Sequence, residues 1–330
     1  MVEEIIGSEI AYDPPTVGRF TIEEIERRRL HKGAGIKIGL PGLDSKMRPV
    51  RPGELIVLIG RPSHYKSGLA QWWARRLANE CLTQERDDVV AYVTTEMAIE
   101  ELGICDLVTA TNIEADRVLD GTVSDAEMET LKGAATMRGA LPLWLIGHSL
   151  ARRRKRIKLD MLNVEKALFW IEDNMQFRPR AVFIDYLNLL QSSRQPGQRF
   201  GESRRVDVAE LVASAKDMAL MLGCPVVLIA QANRACDDRD WCLPQMADAM
   251  ESAAIEQYSD KMFSVWYPKV NKPLGSEIDD QSGGKLEVTS NLLILGMLKQ
   301  KNGPAGGYWP LYVDPERNDI HELETEGVPF

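Results

Sequence analysis

The stretch that decides the fold is Leu55-Ile-Val-Leu-Ile-Gly60, continued by Arg61-Pro-Ser-His-Tyr-Lys-Ser67 and Gly68-Leu-Ala-Gln-Trp-Trp-Ala-Arg-Arg-Leu77. A run of apolar β-formers ends in glycine, a short loop follows, and Lys66-Ser67 open a segment with apolar residues at helical spacing. Strand, loop and helix in that order are the layout of a phosphate-binding P-loop, G-x-x-x-x-G-K-[ST]. Loop N–H groups and the positive end of the helix cradle phosphates, the lysine reaches the β/γ oxygens, and the hydroxyl ligates Mg²⁺. On that reading Gly60, Arg61, Pro62, Ser63, His64, Tyr65, Lys66 and Ser67 form an ATP site, with Ser67 on the metal. The pattern's second glycine is missing, because Tyr65 stands in its place. If that position needs a left-handed backbone, a residue with a Cβ costs about 1–2 kcal/mol there, modest beside the hydrogen bonds a triphosphate makes. Restoring glycine at position 65 is therefore expected to leave ATP binding intact or improved.

Downstream, Val89-Val-Ala-Tyr-Val-Thr-Thr95 is a continuous apolar strand that runs into Glu96. A fully apolar strand predicts a parallel sheet covered on both faces, and acids past its carboxyl end lie where α/β sheets bind ligands. Glu96 is thus a candidate base for the water that attacks the γ-phosphate; its other reading is a helix N-terminal acid. Ala181-Val-Phe-Ile-Asp-Tyr-Leu187 repeats the pattern, with Asp185 placed as the Mg²⁺-linked acid of P-loop ATPases. Pro225-Val-Val-Leu-Ile-Ala-Gln231 is another buried strand, ending in Gln231-Ala-Asn-Arg234. Further strands are expected over 262–267 and 292–298, with a polar excursion between them over 268–290 and a final hairpin from residue 308. The segment 98–140 reads as helical, with Ser124-Asp-Ala-Glu127 as a capping box. Further helices are expected over 165–175 and 206–222.

Two stretches are strongly basic. Arg152-Arg-Arg-Lys-Arg-Ile-Lys158 reads either as a nucleic-acid contact or as a solvated helix face. The polar loop 191–205 carries Arg194, Arg199, Arg204 and Arg205 at the same sheet edge as Asp185. At the other end of the chain, residues 1–20 with Pro14-Pro15 are expected to form a flexible arm. Thr21-Ile-Glu-Glu24 is a capping box for a helix from Thr21 to about residue 31. A lone helix this short needs a partner surface, either its own domain or a neighbouring subunit.

The 330 residues are 44% hydrophobic and 27% charged, so the chain can bury a large core, and the net charge of −9 excludes general nucleic-acid adhesion while allowing a locally basic channel. The 5 cysteines show no C-x-x-C pair, and with no basic-then-apolar leader they point to reduced thiols in the cytoplasm of a cell or an infected cell. No apolar run reaches the roughly 18–20 residues of a membrane span.

Taken in order, these blocks resemble the C-terminal ATPase domain of the DnaB-type replicative helicases. They are Gly39-Leu-Pro-Gly-Leu-Asp44, the P-loop, Thr95-Glu-Met97, Ile184-Asp-Tyr-Leu187, Pro225 through Arg234, Asp248-Ala-Met-Glu-Ser252 with Ile255-Glu-Gln257, and Lys299-Gln-Lys-Asn-Gly-Pro304. The resemblance implies a RecA-like P-loop core over 36–330, with a mostly parallel sheet flanked by helices and a short linker helix over 21–35 that docks on the next subunit of a hexamer. It implies ATP and Mg²⁺ as cofactors, Glu96 as catalytic base, Lys66 and Gln231 as phosphate-handling groups, and Lys299 and Lys301 reaching into the neighbour's site. The second of those is usually arginine in the family, and lysine supplies a point charge in place of a planar fork. Arg199, Arg204, Arg205 and Arg234 become candidate DNA contacts. The implied function is a ring-shaped, ATP-dependent helicase or translocase on single-stranded DNA, with a loader or primase as further partner and no membrane. The alternative is a hydrolysis-weak ATP-binding module that assembles on DNA and recruits a partner. With only about 20 residues ahead of the linker helix, the family's N-terminal collar is expected to be absent.

Overall fold

The computed structural model describes residues 11–30, 35–151, 158–185, 203–249, 252–279 and 283–323, apart from the side chains of 203–207 and 252. The chain opens with helix α1 (Pro14–Leu30), followed by a short α2 (Pro41–Lys46), strand β1 (Leu55–Gly60), α3 (Lys66–Thr83) and β2 (Asp88–Thr94). Helices α4 (Ile99–Thr111), α5 (Ala115–Leu119) and α6 (Asp125–Arg138) lead to β3 (Leu143–Ile146), α7 (Met161–Met175), β4 (Arg178–Asp185), α8 (Ser203–Leu222) and β5 (Val226–Gln231). Then come α9 (Ser252–Tyr258), β6 (Lys261–Trp266), a hairpin of β7 (Glu277–Asp279) and β8 (Lys285–Glu287), and finally β9 (Leu292–Gln300), β10 (Tyr308–Asp314) and β11 (Asp319–Glu322).

The large sheet is 9-stranded, in the order β11-β10-β9-β6-β1-β5-β4-β2-β3. From β3 across to β6 every pairing is parallel, and β9, β10 and β11 then extend the sheet antiparallel. This is the predicted α/β core. Every residue of β1 and β6 is buried, as a strand covered on both faces must be. One face carries α3, with Trp73 edge-on to Phe183 at 5.3 Å between ring centroids. The other face carries α7 and α8, through Val164, Leu168, Val212 and Ala215. No helix among the described residues is long and apolar enough to cross a membrane.

The N-terminal reading needs correction. The helix does not start at Thr21; it starts at Pro14, so residues 14–20 belong to it and not to an arm. Asp13 is the cap, its Oδ1 accepting from the Thr16 N–H at 3.0 Å, and Pro14 takes the first helical position, where the absent N–H costs nothing. Thr21 Oγ1 instead donates to the Val17 carbonyl at 2.7 Å inside the helix. Ser124 does cap α6, accepting from the Glu127 N–H, while Glu127 reaches back to the Ser124 N–H at 2.8 Å.

The Gly39–Asp44 block joins the two ends of the chain. Asp44 accepts from the N–H groups of Ile38 at 2.9 Å and Gly39 at 2.8 Å. Glu322, on the last strand, accepts from Gly42 at 2.8 Å and Leu43 at 3.0 Å, meeting donors that α2 leaves free at its start.

Candidate nucleotide site

Parallel register brings the chemistry together. Gly60 ends β1 level with Gln231 of β5 and Val265 of β6, and Thr94 ends β2 level with Asp185 of β4. The phosphate loop, Glu96, Asp185 and Gln231 therefore share one edge of the sheet, around a cavity of about 460 Å³. Pro62, Ser63, Tyr65, Lys66, Ser67 and Gly68 line it on one side and Glu96, Met97, Asp185 and Gln231 on the other. A Cβ at Gly60 would come within 2.9 Å of Val265 Cγ1 and of Lys66 Cγ, so the loop needs glycine there to turn this closely.

The charges inside the cavity are incompletely partnered. Lys66 Nζ donates to the Arg61 carbonyl at 2.7 Å, and burial pulls its pKa down to about 8 despite the pull of Asp185 and Glu96. Asp185 is buried, and burial raises its pKa although Tyr92 and Ser67 act to lower it. The Tyr92 hydroxyl donates to Asp185 Oδ2 at 2.8 Å, while Oδ1 is buried with no hydrogen-bond partner among the described residues. An orphaned carboxylate oxygen beside a serine hydroxyl is an all-oxygen donor set suited to Mg²⁺, which takes one or two carboxylates plus substrate phosphates. Ser67 and Asp185 thus fit the predicted metal.

The loop side chains divide. Those of Arg61 and His64 turn away from the cavity. Arg61 Nε donates to Asp237 Oδ2 at 2.8 Å and its guanidinium also reaches the Ala232 carbonyl at 3.1 Å. His64 is buried, its Nδ1 accepting from the Tyr267 N–H at 3.0 Å, and burial holds its pKa down to about 4, so it is neutral at pH 7. Tyr65 has φ of 65°, so the left-handed backbone that the glycine pattern implies is present here with a tyrosine in it. The left-handed cost of about 1–2 kcal/mol applies.

A family comparison decides the affiliation: the model described as the DnaB-like helicase C terminal domain matches residues 35–316. The chain belongs to that family. A replicative DNA helicase DnaB of Rickettsia conorii is 26% identical over 306 residues, covering 88% of this chain and 58% of the relative. The replicative DNA helicase DnaC of Bacillus subtilis is 27% identical over 316 residues, covering 94% and 62%. The chain thus spans about 58–62% of the length of these curated relatives. Among solved structures, one ATPase domain superposes with a TM-score of 0.75 at 20% identity, over 94% of this chain and 100% of that one. A DnaB-like replicative helicase, solved for its interactions with primase, gives 0.72 at 21% identity over 98% of this chain and 71% of that one. At such identity these structures speak for the fold, the predicted RecA-like core.

Other predicted residues of this DnaB-like domain lie away from the cavity. Lys299 ends near the start of β6, because β9 runs antiparallel and pairs Lys299 with Met262. Lys261 and Val265 are four residues apart, so this edge is about 13 Å along the strand from the phosphate loop. Lys299 Nζ donates to the Ser259 carbonyl at 2.6 Å and to that of Glu256, at the end of α9. Lys301 is exposed and lies 3.5 Å from Asp260 Oδ1. Arg234 is exposed in the turn that follows β5. Arg204 and Arg205 fall in the first turn of α8. Arg199 and residues 152–157 of the basic run lie outside the described residues.

Sequence reasoning missed Tyr92, Asp237, Tyr267 and Asn318, which hold Asp185 and the loop in place. Tyr92 left one signal: a phenol in an otherwise apolar strand needs a buried acceptor.

Proposed function

We propose that this chain is the ATP-driven motor domain of a ring-shaped replicative helicase that moves on single-stranded DNA. The observation that carries the reading is the convergence of Lys66, Ser67, Glu96, Asp185 and Gln231 on one cavity at the carboxyl edge of the sheet. Lys66 supplies positive charge to the β- and γ-phosphates. Ser67 Oγ and Asp185 Oδ1 would hold Mg²⁺, which when bound neutralises phosphate charge. Glu96 orients the attacking water and accepts its proton. Gln231 ends β5 just ahead of Arg234, so a hydrogen bond to the γ-phosphate would move a basic residue as the nucleotide state changes. Arg199, Arg204, Arg205 and Arg234 hold DNA by its phosphates.

Assembly into a ring, expected to be a hexamer, draws support from α1. Among the described residues it buries none of its side chains, and Val17, Phe20, Ile22, Ile25 and Leu30 are all exposed. Such a helix gains its stability by packing on another surface, here the next copy. On this reading Lys301, exposed on the edge opposite the loop, serves the neighbour's nucleotide. A primase or loader is the further partner, by analogy with the replicative helicase solved for its primase interactions.

A second reading, a hydrolysis-weak module that assembles on DNA, is favoured by Lys299 being tied to carbonyls of its own chain and by Lys301 lacking a guanidinium fork. Fluorescence anisotropy of a labelled single strand, with and without a non-hydrolysable ATP analogue, tests the motor reading. Expected is analogue-dependent binding that weakens with salt and falls when Arg204 and Arg205 are both changed to alanine. Binding that ignores both nucleotide and those arginines would contradict it.

A further inference from the structure

Tyr65 occupies the place of the loop's second glycine, and its surroundings are built for it. The phenol O–H donates to Asn318 Oδ1 at 2.8 Å, in the turn between β10 and β11. The ring meets Tyr267 edge-on at 5.8 Å between centroids. It also lies over Gly68, where a Cβ would stand 2.5 Å from Tyr65 Cε1, so only glycine lets the ring sit there. Tyr267 is itself anchored: its O–H donates to the Ser290 carbonyl at 2.5 Å and its N–H donates to His64 Nδ1 at 3.0 Å. Two consecutive loop residues are thus tied to the antiparallel side of the sheet.

We infer that Tyr65 is a positioning residue of the nucleotide site: through Asn318 and Tyr267 it holds the phosphate loop in its binding shape before a ligand arrives. The inference rests on the reading that this cavity takes ATP. A glycine at this position samples many backbone states and must lose that freedom when the N–H groups close on phosphate, whereas the tethered tyrosine has already lost it during folding. The geometry therefore reverses the expectation drawn from the glycine pattern alone. Tyr65→Gly relieves a left-handed backbone but weakens binding.

The test is titration calorimetry of the full chain with ATP and with inorganic tripolyphosphate, which isolates the phosphate contacts. Tyr65→Gly is expected to weaken both ligands by about tenfold, the scale of losing one pre-ordered segment. Tyr65→Phe and Asn318→Ala should each weaken both ligands by about threefold, and the double variant no further, since one shared hydrogen bond is lost. Turnover of Asn318→Ala at saturating ATP should stay within about twofold, so that the effect falls on KM and not on kcat. Tyr65→Gly binding both ligands as tightly as wild type, while Lys66→Ala binds neither, overturns the inference alone. Weakening of ATP without tripolyphosphate also overturns it, because the ring then contacts the nucleoside and does not shape the loop. Undiminished ATP binding by Lys66→Ala overturns the nucleotide reading together with the inference.

Discussion

The two edges of the central sheet carry the same kinds of charge in opposite states. At the carboxyl edge, among the described residues, Lys66 has one carbonyl as its hydrogen-bond acceptor and Asp185 keeps an unpartnered buried oxygen. At the amino edge Asp260 accepts from the Leu55 N–H at 2.9 Å and from Lys216 Nζ at 2.5 Å, and Lys301 stands 3.5 Å away. Lys261, only 1% exposed, is paired with Glu54. Burial pushes Asp260 up, but Lys216 and the Leu55 N–H outweigh it and hold the carboxyl below its ordinary value. One edge satisfies its buried charges internally; the other leaves them open, as a site for ligands of opposite sign would.

The largest expected effect that would break this contrast is at the amino edge. Asp260→Ala leaves the Leu55 N–H unpaired and Lys216 with the Gly53 carbonyl but no carboxylate, and should cost about 3 kcal/mol of stability in a urea titration, with nucleotide affinity little changed. Lys66→Ala should do the reverse: ATP affinity falls about 100-fold or more, while the nucleotide-free protein unfolds at the same or a higher temperature, because a partly buried, incompletely partnered ammonium is gone. If Lys66→Ala instead lowers stability and spares binding, the contrast fails.

Acidity sharpens the same point. Burial lowers the pKa of Lys66 in the free protein to about 8, below its ordinary 10.5. Phosphate binds the ammonium, so affinity falls as pH rises through about 8 and the ammonium loses its proton. Calorimetry between pH 6 and 10 checks this, and Lys66→Arg should abolish the decline. The smallest effect concerns α1: Asp13→Ala removes the cap and should destabilise the free helix, seen as faster amide exchange over its first turn and little change in melting temperature.

Much of the carboxyl edge was legible in the sequence because parallel strands announce themselves as apolar runs and their ligand-facing residues follow directly. The run 89–95 is β2 within one residue, and 225–231 is β5. The P-loop signature survived one missing glycine because Gly60, Lys66 and Ser67 held their spacing. The helix start at Asp13-Pro14 was misread because adjacent prolines suggest a break, while proline at the first helical position is favourable. The amino-edge network left no local trace, since Lys216 meets Asp260 across 44 residues. The tether on Tyr65 was still less visible, as Asn318 lies 253 residues away. Contacts of that range are set by sheet order, which no window of sequence contains.

The proposed chemistry is ATP hydrolysis at the open carboxyl edge with Glu96 as the base. Steady-state ATP turnover of the full chain, with and without single-stranded DNA, compared with Glu96→Gln at matched ATP occupancy, tests it most directly. Expected is DNA-stimulated turnover that falls about 10²–10⁴-fold in the variant while ATP binding persists. Equal background turnover by the two proteins would contradict the claim and leave a DNA-bound ATP module in its place.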